Sequence, residues 1–252
     1  MEKIRVSVVS YINSLPFMYG LLHSPLLSHI TLSVDTPAGC ADALLSGHAD
    51  LGIVPVAVIP LLPERHIVSD YCLGSDNSIR TVVLAGNTEL KKIKKIFLDP
   101  ESRTSNKLVR ILCEQYWKIE VEWLQPSVPA MPDMIGDTCA SVIIGDKAFA
   151  AGKHYSHVYD LAEQWIAFSK LPFVFACWLS VKKLPQPFIA NFNKALAEGL
   201  RHKKEALSLK DNISNIATEQ ELEEYLTKNV SYHFDRRKQK SLQMFLEYMH
   251  GH

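Results

Sequence analysis

Four short polar runs carry the residues most able to do chemistry on a small organic acid, each beside a strand-like run. The first is Tyr11-Ile12-Asn13-Ser14-Leu15-Pro16-Phe17, after IRVSVV (4–9). Asn13 and Ser14 are neutral hydrogen-bonding groups there, and a helix start adds unpaired N–H groups beyond a strand's carboxyl end. Plain N-capping by Asn or Ser explains the same residues. The second is Ser75-Asp76-Asn77-Ser78-Ile79-Arg80-Thr81. It reads as a turn, or as a polar grip on a ligand at a domain boundary, with Arg80 as ligand contact or ion-pair partner. The third, Asp99-Pro100-Glu101-Ser102-Arg103-Thr104-Ser105-Asn106, puts hydroxyls at a helix start. Backbone N–H groups and hydroxyls so placed hold a carboxylate or phosphate, and capping competes on even terms. In the fourth, Ile143-Ile144-Gly145-Asp146-Lys147-Ala148, Gly145 admits close backbone approach, while Asp146 serves equally as a cap.

Louder chemistry is missing. There is no phosphate-cradling G-x-x-x-x-G-K-[ST] or G-x-G-x-x-G, no G-x-S-x-G elbow and no H-E-x-x-H. The five cysteines, Cys40, Cys72, Cys113, Cys139 and Cys177, are odd in number and scattered, with no C-x-x-C. They read as free thiols in a reducing compartment, and no Cys/His spacing suits zinc. Neutral donors without a nucleophile suit a binding module, or an elimination enzyme that chiefly positions its substrate.

Composition narrows the partners. The 252 residues are 47% hydrophobic, enough to bury one large or two modest domains, and 21% charged, against disorder. Lys+Arg and Asp+Glu both count 27, so a nucleic-acid partner is not expected and any anion site must be local. The uncharged stretch Leu51–Pro63 falls short of the roughly 20 residues of a membrane span and is broken by prolines. The amino-terminal apolar run is too short for a secretory leader, so a cytoplasmic location is expected. Oligomeric state is not legible.

Strand-like and helical patterns alternate along the chain. Strands are expected over 4–9, 30–34, 50–56, 80–86, 94–99, 119–124, 139–146 and 173–181. Helices are expected over 14–23, 37–49, 102–117 and 160–170, and almost throughout from Gln186 onward. The pattern predicts an α/β fold with mostly parallel sheet. The apolar strand at 173–181, followed by a helical tail, suits a chain that leaves one lobe, builds a second and returns. Lobe 1 is then 1–86 and 175–252, lobe 2 is 87–174, and a ligand cleft lies between them. A single doubly wound domain fits the pattern too. Trp165, Phe168, Phe173, Phe175 and Trp178 read as core or cleft wall, and Asp235–Lys240 as a solvated helix face.

The same segments carry a resemblance. SYINSLPF, GHADLGIVPVAVIP, SDNSIRTVVLAGN, DPESRTSNKL, SVIIGDKAF and DLAEQWIAFSKLPFVFACWLS, in this order over about residues 4–181, resemble the chorismate dehydratases of the futalosine route to menaquinone. The resemblance implies a type II periplasmic-binding-protein-like fold used as a cytoplasmic hydro-lyase. It implies conversion of chorismate to 3-[(1-carboxyvinyl)oxy]benzoate without metal or organic cofactor. Asn13 and Ser78 match the positions associated with catalysis, and Thr104 and Ser105 a hydroxyl pair that holds a substrate carboxylate. Gly145 and Asp146 match a strand-end Gly-Asp. Tyr11, Ser14, Asn77 and Arg80 complete the expected substrate contacts.

Two other readings stand beside it. A solute receptor that binds and releases a small carboxylate uses the same fold. The sister enzyme that makes 1,4-dihydroxy-6-naphthoate is disfavoured, because its opening pattern resembles S-P-C-P-N-D where this chain has Ser10-Tyr11-Ile12-Asn13-Ser14-Leu15-Pro16.

Overall fold

The structure, a computed structural model, describes residues 3–130 and 132–250. Lobe 1 opens with β1 (Ile4–Val9), α1 (Leu15–Leu22), β2 (Ile30–Asp35), α2 (Pro37–Leu45), β3 (Leu51–Pro55) and β4 (His66–Ser75). The chain then crosses to β5 (Val82–Gly86), β6 (Lys95–Phe97), α3 (Arg103–Ile111), β7 (Glu122–Leu124), β8 (Cys139–Ile144), α4 (Ala151–His154), β9 (His157–Asp160) and α5 (Leu161–Ser169). It returns through β10 (Phe173–Ser180) to α6 (Gln186–Arg201), α7 (Lys203–Ala206), α8 (Glu219–Glu224), β11 (Ser231–His233) and α9 (Arg236–His250).

Two sheets result, ordered β11-β4-β10-β3-β1-β2 and β7-β6-β8-β5-β9. The fold is therefore α/β with two lobes. Among the described residues the sheets are mixed, with four parallel and five antiparallel pairings, which corrects the expectation of mostly parallel sheet. The reason is the return path: β10 comes back from lobe 2 and inserts antiparallel between β3 and β4. Its run FVFACWLS is buried almost throughout, as a strand covered on both faces must be.

The first crossing lies earlier than the sequence pattern suggested. Val82–Gly86 is wholly buried between β8 and β9, so it belongs to lobe 2 and the chain crosses at 76–81. The longest strand, β4, escaped the pattern because Ser69, Asp70, Gly74 and Ser75 dilute its alternation, and its pairing with β10 is bulged. α3 is shorter than expected. It continues through wider π-type turns over Leu112–Trp117 and stops at Lys118, in the left-handed region at φ 56°.

Helices lock onto lobe 1 by close approach. At Gly199 an added Cβ would stand 1.8 Å from the Pro16 carbonyl oxygen, and at Gly20 2.0 Å from that of Ala195. Only glycine lets α1 and α6 touch backbone to backbone. The first turn of α9 reaches both crossing segments. Lys238 is 1% exposed and places Nζ 3.1 Å from Asp76, while an Arg237 guanidinium N–H donates to the Lys170 carbonyl at 3.4 Å. The Asp235–Lys240 run is thus not simply a solvated face: burial of Lys238 makes its inner edge a clasp on the two crossing segments. Each segment also carries one left-handed residue, Arg80 (φ 65°) and Lys170 (φ 63°). Of the five aromatics read as core or wall, Trp165, Phe173 and Trp178 are fully buried.

Candidate active site between the lobes

A cavity of about 60 Å³ lies between the two lobes. Its polar lining is Tyr11, Asn13, Thr81, Ser102, Thr104 and Ser105, with Gly145 and Phe175 closing it. Among the described residues, the lining holds no Asp, Glu, His, Lys, Arg or Cys side chain.

Tyr11 and Asn13 stand where β1 turns into α1. Ser14 forms that turn: its hydroxyl, fully buried, donates to the carbonyls of Val9 and Tyr11. Asn13 offers its backbone carbonyl to the Tyr232 hydroxyl at 3.0 Å. Its side-chain Oδ1 is buried without a partner among the described residues, a costly state that a ligand donor would relieve. Nearby, the Tyr225 and Thr81 hydroxyls lie 2.7 Å apart, and burial pushes the Tyr225 phenol up.

The Tyr11 phenol donates to Glu101 across the cleft at 2.7 Å. Burial, then the hydrogen bond and charge of Glu101, push that phenol well above its ordinary range, so it stays protonated. Its ring packs on Gly145, which is left-handed at φ 69°; a Cβ there would lie 2.6 Å from the ring. Glu101 is tied to Lys147 at 3.6 Å, and Lys147 to the buried Asp99 at 2.7 Å. Burial raises the Asp99 carboxyl despite that partner.

The start of α3 forms the opposite wall. Ser102 caps the helix by accepting from the Ser105 N–H at 3.1 Å. The Thr104 hydroxyl donates to the Phe175 carbonyl at 3.1 Å and accepts from the Ala57 N–H at 3.2 Å, bridging the lobes. Asp146 is a strap rather than a lining residue. It accepts from the Ile12 N–H at 3.1 Å and pairs with Lys210 at 2.8 Å, and Lys210 also donates to the Ser10 carbonyl.

Tyr11, Asn13, Thr104, Ser105 and Gly145 are thus brought together, from segments about 90 and 130 residues apart. Ser78, Asn77 and Arg80 form the first crossing and stand outside the lining. The Ser78 hydroxyl donates to Asp160 at 2.8 Å, and the Arg80 N–H to the same carboxylate oxygen at 2.6 Å. The other Asp160 oxygen caps α5. The exposed Asn77 pairs through its backbone with the Ser75 hydroxyl, and Arg80 lies over the Phe149 ring at 5.5 Å. Sequence reasoning did not single out Tyr225 or Lys210, whose neighbourhoods carry no motif; Thr81 closed a flagged run without a role, and Phe175 was read as core or cleft wall. Glu101 sat inside a flagged run without a role.

Fold and site define a two-lobed α/β protein with a small neutral cavity in its cleft. The profile of the family described as "Menaquinone biosynthesis" matches residues 4–251, and the chain belongs to that family. Solved structures share the fold at low identity. Protein AF1704 from Archaeoglobus fulgidus superposes with a TM-score of 0.78 at 17% identity, covering 99% of this chain and 97% of that one. The Candida albicans CA3427 gene product, described as having the generic periplasmic binding protein fold, gives 0.66 at 15%, over 99% and 90%. The periplasmic aliphatic sulphonate binding protein SsuA from Escherichia coli gives 0.58 at 15%, over 99% and 93%. No described helix is long and apolar enough to cross a membrane, and no group of three or more His, Cys, Asp or Glu among the described residues could hold a metal ion.

Proposed function

We propose that this chain is a chorismate dehydratase, eliminating water to give 3-[(1-carboxyvinyl)oxy]benzoate. The carrying observation is the cavity lining: hydrogen-bonding groups surround the space, and among the described residues its only ionisable side chain, Tyr11, is held protonated. Such a site positions an acid but offers no side-chain base. Chorismate brings its own carboxylates. The side-chain carboxylate takes the ring proton, the electrons of that C–H bond form the new ring double bond as the neighbouring ring C–O bond breaks, and the carboxylate returns the same proton to the departing hydroxyl, which leaves as water. Ring aromatisation supplies the drive, so orientation and neutral donors suffice.

In this reading Asn13 accepts from the ring hydroxyl or donates to the charge developing on it. Ser105 and the first-turn N–H groups of α3 hold a carboxylate, joined by Thr104 once its hydroxyl exchanges a backbone partner. Ser78 acts from the crossing segment, oriented by Asp160, when the lobes shift around the substrate. The cavity of about 60 Å³ lies below the roughly 300 Å³ at which small-molecule pockets begin, so the lobes part for entry.

The test is to mix pure protein with chorismate and follow the ultraviolet spectrum and the product mass. A benzoate-type spectrum with loss of one water supports the reading. Binding without spectral change supports the solute receptor instead, a reading favoured by the shared fold of the sulphonate binding protein.

A further inference from the structure

The cavity is neutral, yet the proposed substrate is a dianion, and the chain carries no net charge to attract it. Cations gather just outside. Arg103, Lys107 and Arg110 recur at helical spacing on one face of α3 and line an open groove of about 530 Å³. The groove meets the cavity at Ser102, which lines both. Its floor is apolar: Leu61, 63% exposed, with Ala57, Leu98, Pro100 and Pro126. Asp99 is the only carboxylate on its lining among the described residues, and it is 1% exposed and turned to Lys147. Arg110 is held in place over the Trp123 ring at 4.3 Å.

We propose that this groove is an outer binding site for a cyclic or aromatic dicarboxylate, the antechamber through which the substrate reaches the cavity. The inference rests on the dehydratase reading for its ligand. The apolar floor takes the ring and the α3 cations take the carboxylates. Arg103 faces Asp42 of α2 across the cleft, in an ion pair that joins the lobes. Parting the lobes separates that pair and presents the guanidinium to the incoming anion. Labour is then divided. Cations outside raise the local concentration of the ligand, and neutral donors inside orient it without a charge to oppose the proton transfer.

The experiment measures association of chorismate by stopped-flow tryptophan fluorescence across ionic strength, beside saturating kcat. Isophthalate serves as an unreactive aromatic dianion. The wild-type rate should fall about tenfold from low to high salt. Lys107→Glu with Arg110→Glu should lower the low-salt rate about tenfold and flatten the salt dependence, with kcat unchanged. Lys107→Gln with Arg110→Gln, milder to the fold, should give an intermediate result. Wild-type rates and salt slopes in both variants would overturn the groove, as would salt-independent binding of both dianions to the wild type. Salt-steered isophthalate binding without chorismate turnover would strike the dehydratase reading and leave the groove standing.

Discussion

Tyr11 and Glu101, ninety residues apart in the chain, meet across the cleft in a hydrogen bond of 2.7 Å. The bond joins the end of β1 to the approach to α3 and holds a phenol against the cavity. Tyr11→Phe should weaken closure and raise the KM for chorismate about fivefold, the effect of one hydrogen bond near 1 kcal/mol. Glu101→Ala should match it. Glu101→Gln keeps an acceptor and should stay near wild type. Steady-state kinetics on the three variants checks the pattern; a KM in Glu101→Gln as high as in Tyr11→Phe counts against it.

Gly145 is required twice, by its positive φ and by the Tyr11 ring. Gly145→Ala should cost about 1 kcal/mol in backbone strain and displace the ring, opening the cleft wall. Expected are a turnover loss of about tenfold or more and a lower melting temperature, read by kinetics and thermal melts.

Asn13→Asp and Ser78→Ala should fold normally. Each should lose turnover by about a hundredfold, as removal of a group that acts on developing charge does. Circular dichroism establishes the fold and the ultraviolet assay the rate. Full activity in both would remove the two residues from the mechanism.

Lys238 tests the clasp on the crossing segments. Lys238→Ala should destabilise by about 2 kcal/mol, losing both the Asp76 pair and a buried stem, and lower the melting temperature by roughly 4–8 °C. Lys238→Met restores the stem and should recover part of the loss.

Acid should act through Asp50. Hydrogen bonding to Arg5 holds its carboxyl well below the usual range, against burial and with help from Lys182. A depressed carboxyl stabilises fully above its unfolded value, about 3.9, and loses that contribution as pH falls through the folded value. Denaturant midpoints should therefore fall steeply below pH about 4, and Asp50→Asn should flatten that fall while lowering stability at neutral pH.

Local chemistry was enough for much of this molecule. Strand and helix alternation, the return through the apolar run at 173–181, and polar runs at strand ends all follow from periodicity and backbone preference within a few residues. Those rules located Asn13, Thr104 and Gly145, because a helix start or a strand-end glycine announces itself in its immediate neighbours.

Only the folded chain decided which of these positions face the same space. β5 joined the second sheet through partners about 60 and 75 residues away. Lys238 was buried by strands that arrive long before it in the chain. Ser78 turned to Asp160, and Glu101 found Tyr11. Local propensity acts over a few residues, whereas a cleft is made by contacts between distant segments. The types of donor can therefore be read along the chain, and their convergence cannot.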